Sequence, residues 1–173
     1  MCLKAPITDD AYLIMIMQKT ILIGLGNPIL TDDGVGVKVA YEIERRFGEK
    51  IPKKLTITEA SVGGLRLMEL LEGYERAIII DAIQTGNGHP IGSIFRLNLT
   101  DLREISPTQH SASAHDTSLV TALQAGIEMG MKLPLDITIF AVEVENIMDF
   151  SDQPTPAVAA AIPLVVDMVL DII

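Results

Sequence analysis

The stretch Thr20-Ile-Leu-Ile-Gly-Leu-Gly-Asn-Pro-Ile-Leu-Thr-Asp-Asp-Gly-Val-Gly36 decides the fold. It begins with a continuous apolar run, Thr20–Leu25, and breaks at Gly24, Gly26, Asn27 and Pro28. An unalternated apolar run is the mark of a strand buried on both faces, as in a parallel sheet. A helical repeat follows and predicts a helix over 32–47. Val35, Val37, Val39, Ala40 and Ile43 form its apolar side, and Lys38, Glu42, Glu44, Arg45 and Arg46 face water. Thr31 or Asp32 would cap this helix and Asp33 would sit in its first turn, where acids are favoured.

The same alternation continues along the chain. Strands are expected at 55–60, 77–83 and 135–144, with an edge strand at 91–97. Helices are expected at 65–71, at 117–131 with Leu119, Ala122, Leu123 and Ile127 inward, and at 155–173 with Pro156 in the first turn. Residues 100–116 are polar and irregular. The fold class is therefore α/β: a mostly parallel twisted sheet of about five strands, with helices on both faces. Residues 18–173 form a single domain. Residues 1–17 are read as an N-terminal extension, because Lys4, Asp9 and Asp10 before the short apolar run 11–17 make no secretory signal.

Composition excludes several classes. Thirteen basic against 23 acidic residues give a formal charge of −10, which opposes binding to nucleic acid. No apolar run reaches the roughly 18–20 residues that span a membrane. The single cysteine, Cys2, allows no internal disulfide and no cysteine cluster, and it fits a reducing, cytoplasmic setting.

Three places carry chemistry. The first loop holds Gly24 and Gly26, but Ile29 stands where a dinucleotide fingerprint needs its third glycine. The loop ends instead in Asp32 and Asp33. Asp81 interrupts the apolar run 77–83; a carboxylate there is costly unless it is paired, hydrogen-bonded or metal-bound. His115 precedes a helix start, where a neutral imidazole is favoured over a cation. His89 and His110 read as solvated loop residues. Asp33, Asp81 and His115 together would form a mixed oxygen–nitrogen site for a divalent transition metal. No His-Glu-x-x-His or Gly-x-Ser-x-Gly pattern is present.

These blocks, in this order, resemble the maturation endopeptidases of nickel–iron hydrogenases. The resemblance rests on 21–36, on Gly63-Gly64-Leu65 running into Met68-Glu-Leu-Leu71, on Ile79-Ile-Asp-Ala-Ile83, on Ser113-Ala-His115, and on Thr155-Pro-Ala-Val158. It implies an enzyme that removes a short C-terminal extension from the hydrogenase large-subunit precursor after nickel insertion. It places nickel contacts, and tentative catalytic roles, on Asp33, Asp81 and His115, with the nickel carried by the precursor and other divalent ions able to occupy the site in isolation. Asn27, Gly63 and Gly64 would lie along the substrate tail, since glycines let a backbone approach closely. Relatives often carry Asp at the end of the second strand, where Glu59 or Ser61 is nearest here. Two other readings remain open: a non-enzymatic nickel-dependent assembly factor, and a peptidyl-tRNA hydrolase, whose opening Gly-Leu-Gly-Asn-Pro is shared.

Overall fold

The structure, a computed structural model, describes residues 18–61, 65–101 and 116–173. In chain order the elements are β1 (Thr20–Leu25), α1 (Val35–Phe47), a single 3-10 turn (Gly48–Lys50), β2 (Leu55–Ala60), α2 (Leu65–Leu71) and β3 (Arg76–Ile83). Then follow β4 (Ile94–Leu97), α3 (Asp116–Glu128), β5 (Asp136–Glu143) and α4 (Pro156–Leu170). The five strands form one sheet in the order β2-β1-β3-β5-β4. The first four run parallel and β4 closes the edge antiparallel to β5.

Strand parity sorts the core into two layers. Leu22, Ile78, Ile80, Phe140 and Val142 face one side, where they pack with Val35, Val39 and Ile43 of α1 and Val158, Val165 and Val169 of α4. Ile21, Ile23, Ala77, Ile79, Ile137 and Ile139 face the other, against Leu67 and Leu71 of α2 and Leu123 of α3. The central strands β1 and β3 are buried at every position. The expected three-layer architecture is thus observed.

Strand order fixes where a site can form. From β1 the chain crosses to β2 on one side, then returns past β1 to β3 on the other. The order reverses between β1 and β3, so a crevice opens at their carboxyl ends, where open α/β sheets bind ligands.

The glycines of the first block serve a close approach at this edge. A Cβ on Gly36 would lie 2.3 Å from the Ile80 carbonyl oxygen and 2.4 Å from that of Leu25. A Cβ on Gly24 would lie 2.3 Å from the Gly36 carbonyl oxygen. The start of α1 therefore rests directly on the backbones of β1 and β3.

Several details differ from expectation. Helix α1 starts at Val35, not Asp32, because residues 31–34 form a turn in which the Asp33 amide donates to the Leu30 carbonyl. Gly34 takes the N-cap position and no side chain caps the helix, so neither Thr31 nor Asp32 does so. The edge strand starts at Ile94, not Ile91, because a turn closes from the Ser93 amide to the Pro90 carbonyl. Ile127, expected inward, is exposed in the last turn of α3, beside the reversal at 129–130.

Gly36→Ala is expected to destabilise the protein by about 1–3 kcal/mol, the range for overpacking a tight contact, because backbone must move. Urea unfolding of the variant beside the parent measures it. A change under about 0.5 kcal/mol would contradict the close approach.

Candidate functional site

The loop after β1 turns sharply at Gly26, whose φ of 117° is open to glycine and strained for other residues. The Asp33 backbone folds over it: a Cβ on Gly26 would lie 1.8 Å from the Asp33 carbonyl oxygen. The half-buried Asp33 carboxylate accepts the Asn27 amide through Oδ2 at 2.6 Å. Asn27 in turn accepts the Ile29 amide through its own Oδ1 at 3.2 Å. Asp33 and Asn27 are thus held together at the carboxyl edge of β1.

Asp81 reaches the same edge on β3. It is 3% exposed, and its Oδ1 accepts the following Ala82 amide at 2.9 Å. Its parity with Ile79 and Ile83 puts it on the α2–α3 face of the sheet. The register pairs Gly24 with Ile80, so Asp81 stands one residue beyond that pair, level with the end of β1. Asp33 and Asp81 therefore both stand at the carboxyl edge beside β1 and β3.

His115, Gly63 and Gly64, and the extension 1–17, lie outside the described residues. Among the described residues, no three His, Cys, Asp or Glu side chains form a group that could hold a metal. Two of the three expected ligands, Asp33 and Asp81, are placed at one edge.

Asp32 has a different role from its neighbour. It is fully buried and accepts the Thr155 amide at 2.7 Å, the Thr155 hydroxyl at 3.1 Å and the Asn146 amide at 3.2 Å. Its own amide donates to the Asn146 carbonyl at 2.9 Å. It ties the first loop to the loop after β5 and to the start of α4.

Sequence reasoning missed Glu143. It is buried at the end of β5, on the same sheet face as Asp81 by parity with Ile139 and Ala141. Its Oε1 accepts the Thr85 amide at 3.0 Å, while Oε2 has no hydrogen-bond partner among the described residues. An acid directly after the apolar run Ile139–Val142 was the available signal. Glu59 accepts the Tyr41 hydroxyl. That hydrogen bond, more than burial, raises the Tyr41 phenol above its ordinary range. Ser61 donates to the Gly26 carbonyl at 2.9 Å, bracing the sharp turn. His89, read as a solvated loop residue, is exposed and also packs edge-on against Phe95, with ring centroids 5.0 Å apart.

Comparison with known proteins gives a consistent result. The HycI family, described as hydrogenase maturation protease, matches residues 37–172. The hydrogenase expression/formation protein HupD of Bradyrhizobium diazoefficiens is 26% identical over 158 residues, which span 90% of this chain and 78% of the relative. The hydrogenase 2 maturation protease of Escherichia coli is 25% identical over 153 residues, covering 88% and 89%. The solved structure of the E. coli hydrogenase maturating endopeptidase HybD superposes with a TM-score of 0.76 at 25% identity, covering 88% of this chain and 90% of that one.

Asp32 and Asp33 are adjacent, yet their substitutions are expected to separate. Asp32→Ala strands three donors, two of them backbone amides, and should destabilise by about 3 kcal/mol or more, from about 1–3 per stranded group. Asp33→Ala releases one amide in a half-buried loop and should lose about 1 kcal/mol. Urea unfolding checks both, and equal losses would contradict the assignment.

Proposed function

The chain belongs to the hydrogenase maturation protease family, and from that membership we propose that it cuts a C-terminal extension from the large-subunit precursor of a nickel–iron hydrogenase once nickel is in place. The observation that supports this reading is that Asp33 and Asp81, on separate elements, both stand at the carboxyl edge beside β1 and β3. A non-enzymatic assembly factor and a peptidyl-tRNA hydrolase both give way to the protease family.

In this account the nickel belongs to the substrate and marks a completed precursor. Asp33, Asp81 and His115 contact it; carboxylate and imidazole donors suit such an ion. Other divalent ions take the same donors in the isolated protein. That contact sets the scissile peptide beside the crevice. Asn27 and the Gly63-Gly64 segment then lie along the extension.

Hydrolysis adds one water. Its oxygen attacks the peptide carbonyl carbon, a proton passes to a carboxylate, the C–N bond breaks, and the leaving amine takes up the proton. Asp33, Asp81 and His115 would hold the precursor's nickel, which when bound would supply Lewis-acid polarisation of the carbonyl, and a carboxylate of the site serves as base. The single cysteine supports a reducing setting, which we assign as the cytoplasm. Among the described residues no helix is long and apolar enough to cross a membrane.

Loss of the C-terminal peptide, followed by mass spectrometry of the precursor, tests the reading. Asp33→Asn and Asp81→Asn should each lower kcat/KM by about 100-fold or more, with the melting temperature held within a few degrees. Full activity in either variant would remove that residue from the site.

A further inference from the structure

Three large apolar side chains stand exposed at the rim of the candidate site: Ile29 at 53%, Met148 at 79% and Phe150 at 82%. They come from two loops about 120 residues apart in sequence, and the fold joins them. Leu30 and Ser151 form a parallel bridge. The Thr31 amide donates to the Ser151 carbonyl at 2.9 Å, and the Ser151 amide donates to the Ile29 carbonyl at 3.0 Å. In a parallel pairing, the residues preceding each partner lie side by side on one face. Ile29 and Phe150 are therefore neighbours, with Met148 two residues away on the same loop.

This arrangement is built. Thr31 holds φ at 35°, a region that a β-branched residue occupies only when its surroundings force it. Its hydroxyl donates to the Asp149 carbonyl at 2.7 Å, which fixes it there. Asn146 holds the far side of the turn: its Oδ1 accepts the Asp149 amide at 3.1 Å, and its side-chain amide donates to the Asp149 carboxylate at 2.9 Å. The same loop turns Ile147 toward the core of the α1–α4 layer and leaves Met148 and Phe150 outside. A loop that sorts its apolar residues in this way had an internal place for one of them only.

We propose that Ile29, Met148 and Phe150 form an apolar ledge that docks a complementary apolar surface on the folded body of the precursor, beside its scissile segment. The inference rests on the proteolytic reading above and names the surface by which that site takes its protein substrate. Continuity selects this occupant. Ile29 lies between Asn27 and Asp33 on one loop, so the ledge adjoins the loop proposed to receive the precursor's tail. An exposed apolar cluster with a polar rim is the composition of an interface core, and Asp149 and Asp152 border this one. Among the described residues, the exposed apolar side chains Ile127, Met129 and Leu135 sit toward the opposite, amino-terminal edge of the sheet, away from the crevice.

The test is steady-state cleavage of the nickel-loaded precursor by the full chain and by Met148→Ser, Phe150→Ser and the double variant. Both positions are exposed, and thermal melting confirms that each variant folds. The expected result is a KM raised about tenfold in the double variant, equivalent to about 1.4 kcal/mol of lost binding, with kcat within twofold of the parent. The single variants should fall between. A parent that cleaves and a double variant with unchanged KM would overturn the ledge and leave the protease reading intact. A parent that cleaves no precursor would instead overturn the protease reading, and the ledge with it. Sedimentation of the parent as a dimer, and of the double variant as a monomer, would assign the ledge to a second copy of this chain and overturn the proposal.

Discussion

The carboxyl edge of this sheet depends on one buried carboxylate. Asp32 accepts donors from Thr155 and Asn146 and leaves none of its side chain to solvent. Those bonds join three segments that are distant in sequence: the loop after β1, the loop after β5, and the start of α4. A buried charge is tolerated only with such compensation, and the compensation is what fixes the loops. The turn that follows places Asp33 facing back toward Asn27 and Gly26. The Leu30–Ser151 bridge, which sets Ile29 beside Phe150, belongs to the same knot.

This explains why two consecutive aspartates do different work. Asp32 points into the structure and is saturated by donors. Asp33 is half-buried, with one amide donor at 2.6 Å, and stands at the crevice. The glycine contacts at Gly24 and Gly36 complement it from below, by bringing the start of α1 onto the strand backbones. Polar anchoring above and close packing beneath leave the loop little freedom. A site that must place a peptide bond accurately gains from such rigidity, because misplacement of reacting groups by about 1 Å can lower rates a hundredfold.

Much of this was legible in the sequence. The continuous apolar runs gave β1 and β3 to within a residue, and the alternation of elements gave a sheet covered on both faces. The rule that open α/β sheets keep their sites at the carboxyl edge made Asp33 and Asp81 candidates for one edge without any contact information. The helix start was not legible, because an acid before a helical repeat looks the same whether it caps that helix or anchors a remote one. Asp32 does the second. Glu143 was missed because a single acid at a strand end resembles the start of a loop. The pairing of Ile29 with Phe150 depends on a bridge between distant segments, which periodicity does not report. Family resemblance, rather than spacing, supplied the substrate, and the HycI match over 37–172 bears out the family itself.

The central claim is that the crevice recognises a precursor already carrying its metal. The most direct measurement offers the same large-subunit precursor with and without inserted nickel and weighs the products by mass spectrometry. The account predicts loss of one short C-terminal peptide from the nickel-loaded form alone. Equal cleavage of the nickel-free precursor would contradict it, since Asp33 and Asp81 would then act without the ion they are held to contact.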